Sequence, residues 1–448
     1  MEPAVKRYLN TLIAIIILAA LWFTFSFWNK RKSREQAKET ASKSEKICDL
    51  KASDIQSFTI TPQDKKSFTC DRQGKQWAIV KPQPIAADQS KIASFVQSLT
   101  TATVDQVIAP HADDLKDFGL DPPSETIQVS SHSNPQKFTL LLGQETPTNT
   151  GVYAQVAGNP RVITLSDDTK TALEKGLFDL RDTRAVTLDT GQLNRIEVKT
   201  GNQSYTLVKN PEGVWEVSLP PDVRADHFAV DGLVDNFQAL TMQSIVSEDK
   251  KDEVKYGFGR PTVTAKLITP NTSQTLVIGK KSSNGYYAMN SALAPLFTLD
   301  QDSVSQLQKS VSDFRDKDLF SWDMFDVKSF DVISPKGHWT LEQEKNQWKE
   351  TSPSSKQVST DNVNAFLSAL RNLRATSFPP ARPGDLARFG LNHPSYTFKV
   401  TFGAKNQTET VEVAENGGHV YARRASDPLP SEVSKSDLTS IENALAKL

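Results

Sequence analysis

Residues 74–99 read GKQWAIVKPQPIAADQSKIASFVQSL, a Trp-bearing strand followed by a helix with one apolar face. The same order returns at residues 212–237, EGVWEVSLPPDVRADHFAVDGLVDNF, and at 345–370, KNQWKETSPSSKQVSTDNVNAFLSAL. Trp77, Trp215 and Trp348 stand 138 and 133 residues apart, so the repeating unit is the size of a domain. Asp88, Asp226 and Ser359 keep that spacing, and each offers a short side-chain oxygen to the free N–H groups of a helical first turn. Apolar residues follow at offsets 4, 7, 8 and 11: Ile92, Phe95, Val96, Leu99; Val230, Leu233, Val234, Phe237; Val363, Phe366, Leu367, Leu370. On a 3.6-residue turn these fall in one stripe, which predicts a helix laid by one face on a sheet.

Outward from this phrase, two more landmarks keep step. Phe118-Gly119, Tyr256-Gly257 and Phe389-Gly390 are again 138 and 133 apart, and Tyr153, Tyr287 and Tyr421 are 134 apart each time. Asp114, Asp252 and Asp385 precede the aromatic by four residues, predicting a single capped turn that the glycine ends in a left-handed conformation. Before each Trp, apolar residues alternate with polar ones: Phe58 and Ile60, Ile196 and Val198, Phe330 and Val332, then Phe68 and Cys70, Tyr205 and Leu207, Trp339 and Leu341. Period two predicts half-buried strands paired as hairpins through PQDKK, TGNQ and SPKGH. Two further strands lead to the Tyr, and a helix closes the unit at SDDTKTALEKGL and LDQDSVSQLQKSV. The expected body is therefore α+β: three tandem repeats, 46–182, 183–316 and 317–448, each an antiparallel sheet with two helices.

Leu180-Arg181-Asp182 and Phe314-Arg315-Asp316 end the first two copies, and the matching place in the third would fall at 449. Arg-Asp pairs that occur where another unit follows read as a junction device, helix capping and salt-bridging between neighbours rather than a catalytic dyad, and where exposed such a pair is worth at most about 1 kcal/mol. Cys48 stands where the other copies have Val186 and Phe320, and Cys70 where they have Leu207 and Leu341, so both are read as apolar fillers. Whether the two thiols join as a disulfide stays open.

Basic and acidic residues number 52 and 53, a balance that argues against nucleic acid as a partner. No catalytic, cofactor-binding or metal-binding residues are assigned. His111, Asp113 and Asp114 have no matching His in the other copies, and Gly279-Lys280-Lys281-Ser282 lacks the earlier Gly of a phosphate loop and reads as an ordinary turn. G-x-S-x-G and H-E-x-x-H are both absent.

Ahead of the repeats, residues 8–28 (YLNTLIAIIILAALWFTFSFW) carry no charge and, at about 1.5 Å per residue, match the thickness of a bilayer. Bulky residues after the run leave no signal-peptidase site, so 1–28 is read as a tail and a retained membrane helix, and 29–45 as a polar, basic stalk. Lys6 and Arg7 precede the span, whereas Lys30, Arg31, Lys32 and Arg34 follow it, which by charge count alone keeps the body in the cytoplasm. Long domains translocate largely regardless of such charges, and the expected arrangement is a single-pass protein of the cell membrane with an extracytoplasmic body; the alternative is a cytoplasmic body.

The succession of LF, hairpin, W, Asp-capped helix, D-x-x-x-[FY]-G, VYA and LRD resembles the bacterial domain of unknown function 4340 family over residues 46–448. Repeat two departs from it with YGFGRP. The resemblance implies one N-terminal span, tandem α+β units and genes often beside ABC transporter components of the gliding-motility type, and it supplies no catalytic residues. The expected function is that of a non-catalytic accessory or scaffold protein with ABC transporter subunits as partners and no cofactors. The alternatives are an envelope hydrolase, or a glycan- or lipid-binding module that uses an exposed aromatic such as Trp322.

Overall fold

The computed structural model describes residues 45–448 except 64–65, 113, 133–136, 202, 220–222 and 251–252. The apolar run 8–28 and the stalk to residue 44 lie outside the described residues, among which no helix is long and apolar enough to cross a membrane. Three antiparallel sheets with helices against them make an α+β protein of three repeats. The chain divides into two compact units, one ending at Thr183 and the other running from Arg184 to Leu448.

The first sheet contains β1 (Ile55–Pro62), β2 (Phe68–Gln73), β3 (Gln76–Lys81), β4 (Gln106–Ala109), β5 (Glu125–Ser131), β6 (Phe138–Glu145), β7 (Gly151–Val156) and β8 (Val162–Ser166). Their order is β3-β2-β1-β5-β6-β7-β8-β4. Helix Gln89–Thr101 connects β3 at one edge with β4 at the other, so the chain crosses the sheet as a helix and buries Ile92, Phe95, Val96 and Leu99. Each such side chain contributes about 1.5–3 kcal/mol when removed from water. The second and third sheets keep this order and add one short outer strand each, Val223–Arg224 and Lys356–Val358.

Identical hairpin registers follow from identical apolar alternation. Phe58 pairs with Cys70, Ile196 with Leu207 and Phe330 with Leu341. Asp88 and Asp226 accept from N–H groups of their helices' first turns. Ser359 makes no such side-chain bond; Asp361 in the first turn of helix Thr360–Arg371 supplies the negative charge that the helix end favours. Val234, at the flank of its stripe, is only half-buried.

On the opposite face of each sheet, the remaining landmarks prove to be one contact. Phe118 meets Tyr153 with ring centroids 5.1 Å apart, Tyr256 meets Tyr287 at 4.8 Å, and Phe389 meets Tyr421 at 5.0 Å. Gly119, Gly257 and Gly390 end these turns at φ 63°, 87° and 75°. The turn lies so close to the sheet that a Cβ at Gly143 would stand 2.2 Å from the Phe118 carbonyl oxygen, and one at Gly279 2.2 Å from that of Tyr256. This corrects the expected turn at Gly279-Lys280-Lys281-Ser282: these residues are the end of strand Ser273–Ser282, and the glycine is there to admit a backbone. Asp114 accepts from Lys116 N as expected, whereas Asp385 accepts from Arg382 N, and Asp252 lies outside the described residues.

Candidate functional site

Each repeat begins with a lead-in segment whose backbone N–H donates to a carbonyl one or two residues past the crossing helix: Ile47 to Ala102, Ala185 to Leu240, and Leu319 to Leu373. What grips this segment from the sheet differs among the copies. Sheet register makes Val156, Asn290 and Arg424 equivalent, opposite Leu140, Leu276 and Val411, with Phe138, Gln274 and Glu409 two residues before those.

In repeat one both gripping positions are apolar, and Phe138 and Val156 pack against the core. Repeat two uses amides. Asn290 Nδ2, fully buried, donates to the Ala185 carbonyl at 2.8 Å, while Gln274 Oε1 accepts from Thr187 N at 3.1 Å and its Nε2 donates to Thr187 Oγ1 at 2.7 Å. Repeat three uses charges at the same places. Arg424 Nε donates to the Leu319 carbonyl at 3.1 Å and its Nη2 to that of Asp318; Glu409 accepts from Ser321 N at 2.8 Å and from the Ser321 hydroxyl.

This charged grip joins repeat two to repeat three. Arg224, on the outer strand of sheet two, places Nε 2.6 Å from Asp316, Nη1 3.4 Å from Glu409, and donates through Nη2 to the Asp318 carbonyl at 3.0 Å. Arg424 lies 3.5 Å from the same Asp316. Arg315 reaches into repeat three, where it stacks 4.1 Å over the Phe378 ring, donates to the carbonyls of Pro430 and Leu429, and lies 3.6 Å from Asp427. Burial raises the Asp427 carboxyl above its usual range against the bond from Leu429 N and the pull of Arg315, and burial lowers the Arg315 guanidinium. Both shifts say that desolvation outweighs attraction within the pair.

The expected salt-bridging between neighbours is seen at Arg315 and Asp316, and the two arginines of the repeated pairs are buried: Arg315 is 5 % exposed and Arg181 4 %. The segments they occupy pair with the residues before each crossing helix, Arg181 beside Ala87 and Arg315 beside Ala225, which draws the side chains inward. Arg224, Glu409, Arg424 and Asp427 escaped the sequence reading because they sit between landmarks. Their signal is a change of character at matched positions: Ala86 and Gln357 correspond to Arg224, and Asn159 and Leu293 to Asp427.

Two clefts flank the network. One, of about 760 Å³, runs between Asn210, Glu216, Thr410 and Asp427; the other, of about 710 Å³, is lined by Val214, Trp215, Phe228, Asp318, Arg371 and Arg374. Their charged groups are largely engaged with one another. No group of three or more His, Cys, Asp and Glu side chains that could hold a metal ion occurs among the described residues. Asp113, of the weighed His111 cluster, lies outside them, and His111 itself is exposed. Cys48 and Cys70 are free thiols; Cys48 donates to the Leu99 carbonyl, and burial pushes Cys70 up to about 12. Trp322 is 2 % exposed and packs on Phe320, so it cannot stack on a ligand.

Fold and junctions together define a tandem α+β repeat protein. The chain belongs to the family described as a domain of unknown function, DUF4340, which matches it at residues 77–219, 215–381 and 348–446. The first match runs from one Trp strand to the end of the next, and the second runs past the Trp strand of the following repeat, so the family's frame is offset from the sheet that folds as a unit. No curated protein and no solved structure matches the chain.

Proposed function

We propose that the chain is a non-catalytic scaffold or accessory protein, held in the cell membrane by residues 8–28 with its body outside the cytoplasm, and that it works alongside an ABC transport assembly. The observation that carries this reading is that Arg224, Asp316, Glu409, Arg424 and Asp427, at the two clefts, are engaged in joining repeats rather than left to converge on a substrate. Serial units behind one apolar run suit a surface for partners, and tethering raises the effective concentration of that surface beside a membrane neighbour. The assignment to an ABC system rests on the family resemblance alone. The test is chemical crosslinking of the full-length protein in its native membranes, combined with protease accessibility of residues 46–448 in intact and lysed cells. Reproducible crosslinks to integral membrane proteins and cleavage in intact cells are expected; the absence of any crosslinked membrane protein would end this reading.

A further inference from the structure

The repeats provide an internal control for which surface residues the fold requires. Val214 and Phe228 are 49 % and 77 % exposed and line the same cleft between repeats two and three. At their matched positions the other copies have Gln76 and Gln347, and Ser90 and Asp361. The strand and helix form equally well with polar residues there, so folding does not explain two apolar side chains turned to water.

The facing wall comes from repeat three and is distinctive in the opposite sense. Arg371 and Arg374 stand where the other copies have Thr100 and Gln238, and Thr103 and Thr241. The two share one carboxylate, Asp318, at 3.7 and 2.6 Å, and the Arg374 side chain remains 60 % exposed. Of the other acids on the cleft, Asp316 is held by Arg224 and Asp226 caps its helix; Lys209 lies over the Trp215 ring, and exposed Asp231 is the remaining acid. The third-repeat wall therefore carries one more cation than acid, opposite a wall on which Val214 and Phe228 stand exposed beside Asp231.

We propose that this cleft docks an extended acidic segment of a partner protein, with one apolar side chain set against Phe228 and Val214 and a neighbouring carboxylate on Arg374 and Arg371. An apolar anchor beside a charge-assisted, fork-shaped contact is the usual composition of a protein-binding hot spot. The proposal rests on the scaffold reading and gives that scaffold a contact point.

The test places the photo-crosslinker p-benzoylphenylalanine at position 214 of the full-length protein in its native cells, with position 347, the matched place in repeat three, as control. The expected product is an adduct with a partner peptide in which Asp or Glu adjoins an apolar residue. Phe228→Ser and Arg374→Thr, which install the residues of repeat one, each reduce the adduct several-fold while leaving the unfolding midpoint near that of the parent. Equal yields at 214 and 347, a basic peptide, a lipid adduct, or insensitivity to both substitutions would overturn the proposal. Protein adducts confined to position 347 would sink it while leaving the scaffold reading intact; absence of partners at every position, together with failed chemical crosslinking, would remove both.

Discussion

Repeats two and three grip their lead-in segments at the same two positions, one with Gln274 and Asn290, the other with Glu409 and Arg424. The amide grip is closed on itself: Asn290 Nδ2 also reaches Gln274 Oε1 at 3.1 Å. The charged grip extends outward, because an arginine fork has donors left over after satisfying one carbonyl. Asp316 and Arg224 join it, and a local clamp becomes a bond between neighbouring repeats. The comparison teaches that one fold position is structural or connective according to whether its side chain is satisfied locally.

The strongest way to break the connective half is to orphan its buried charge. Arg315→Ala takes from buried Asp427 its ion-pair partner, leaving it the bond from Leu429 N, and is expected to cost about 3–5 kcal/mol in urea unfolding. Replacing both, as Arg315→Met with Asp427→Leu, is expected to recover most of that loss, since removing two desolvated charges is far cheaper than stranding one. A double variant no more stable than Arg315→Ala would show that the carbonyls of Leu429 and Pro430, rather than the ion pair, are what Arg315 serves.

Arg424→Asn converts the charged grip toward the amide form. Loss of its charged hydrogen bonds is expected to cost about 1.5–3 kcal/mol, again by denaturation, and to loosen Asp316 from the cluster. Equal stability would mean that the two grips are interchangeable and the comparison has no energetic content.

The opposite face of the sheets gives a sharper contrast still, because repeat three carries Ala414 beside Gly390 where the other copies have Gly143 and Gly279. Gly279→Ala forces a methyl onto the Tyr256 carbonyl and is expected to cost about 1–3 kcal/mol. Ala414→Gly, in a copy already shaped for alanine, is expected to cost only about 0.5–1 kcal/mol. Thermal unfolding of the two variants decides the order.

The smallest effect concerns pH. Because burial raises the Asp427 carboxyl in the folded protein, folding favours its protonated form. That contribution is complete below the ordinary carboxylate range, about pH 4, and is lost as pH rises through the higher folded value. The stability of the parent relative to Asp427→Asn should therefore fall over this window, as read from urea midpoints at successive pH values. A difference that instead grows with pH would mean that the Arg315 pairing dominates.

Much of the architecture was legible because repetition makes the apolar pattern redundant. The stripe on helix Gln89–Thr101 and the alternation in β1 and β2 each appear three times, and random variation does not preserve such spacing. The Phe118 and Tyr153 landmarks were visible as separate signals, but their meeting was not, since they lie on segments 35 residues apart that only sheet pairing brings together. Arg224, Glu409 and Arg424 were less visible again, because a charged residue between landmarks looks like ordinary surface. Trp322 was misjudged for the converse reason: lack of periodicity says nothing about burial, and Phe320 draws it into the core.

Sequence by itself determined the number of units, their α+β character and the face each helix turns inward, since apolar spacing and backbone geometry act over a few residues and need no knowledge of the rest. Only the tertiary structure decided that Gly279 makes room for a carbonyl, that Arg315 is buried, and that Glu409, Arg424, Arg224 and Asp316 are neighbours. Those facts depend on distances between groups as many as 185 residues apart, and Coulomb attraction and steric contact respond to distance in space, not to separation along the chain.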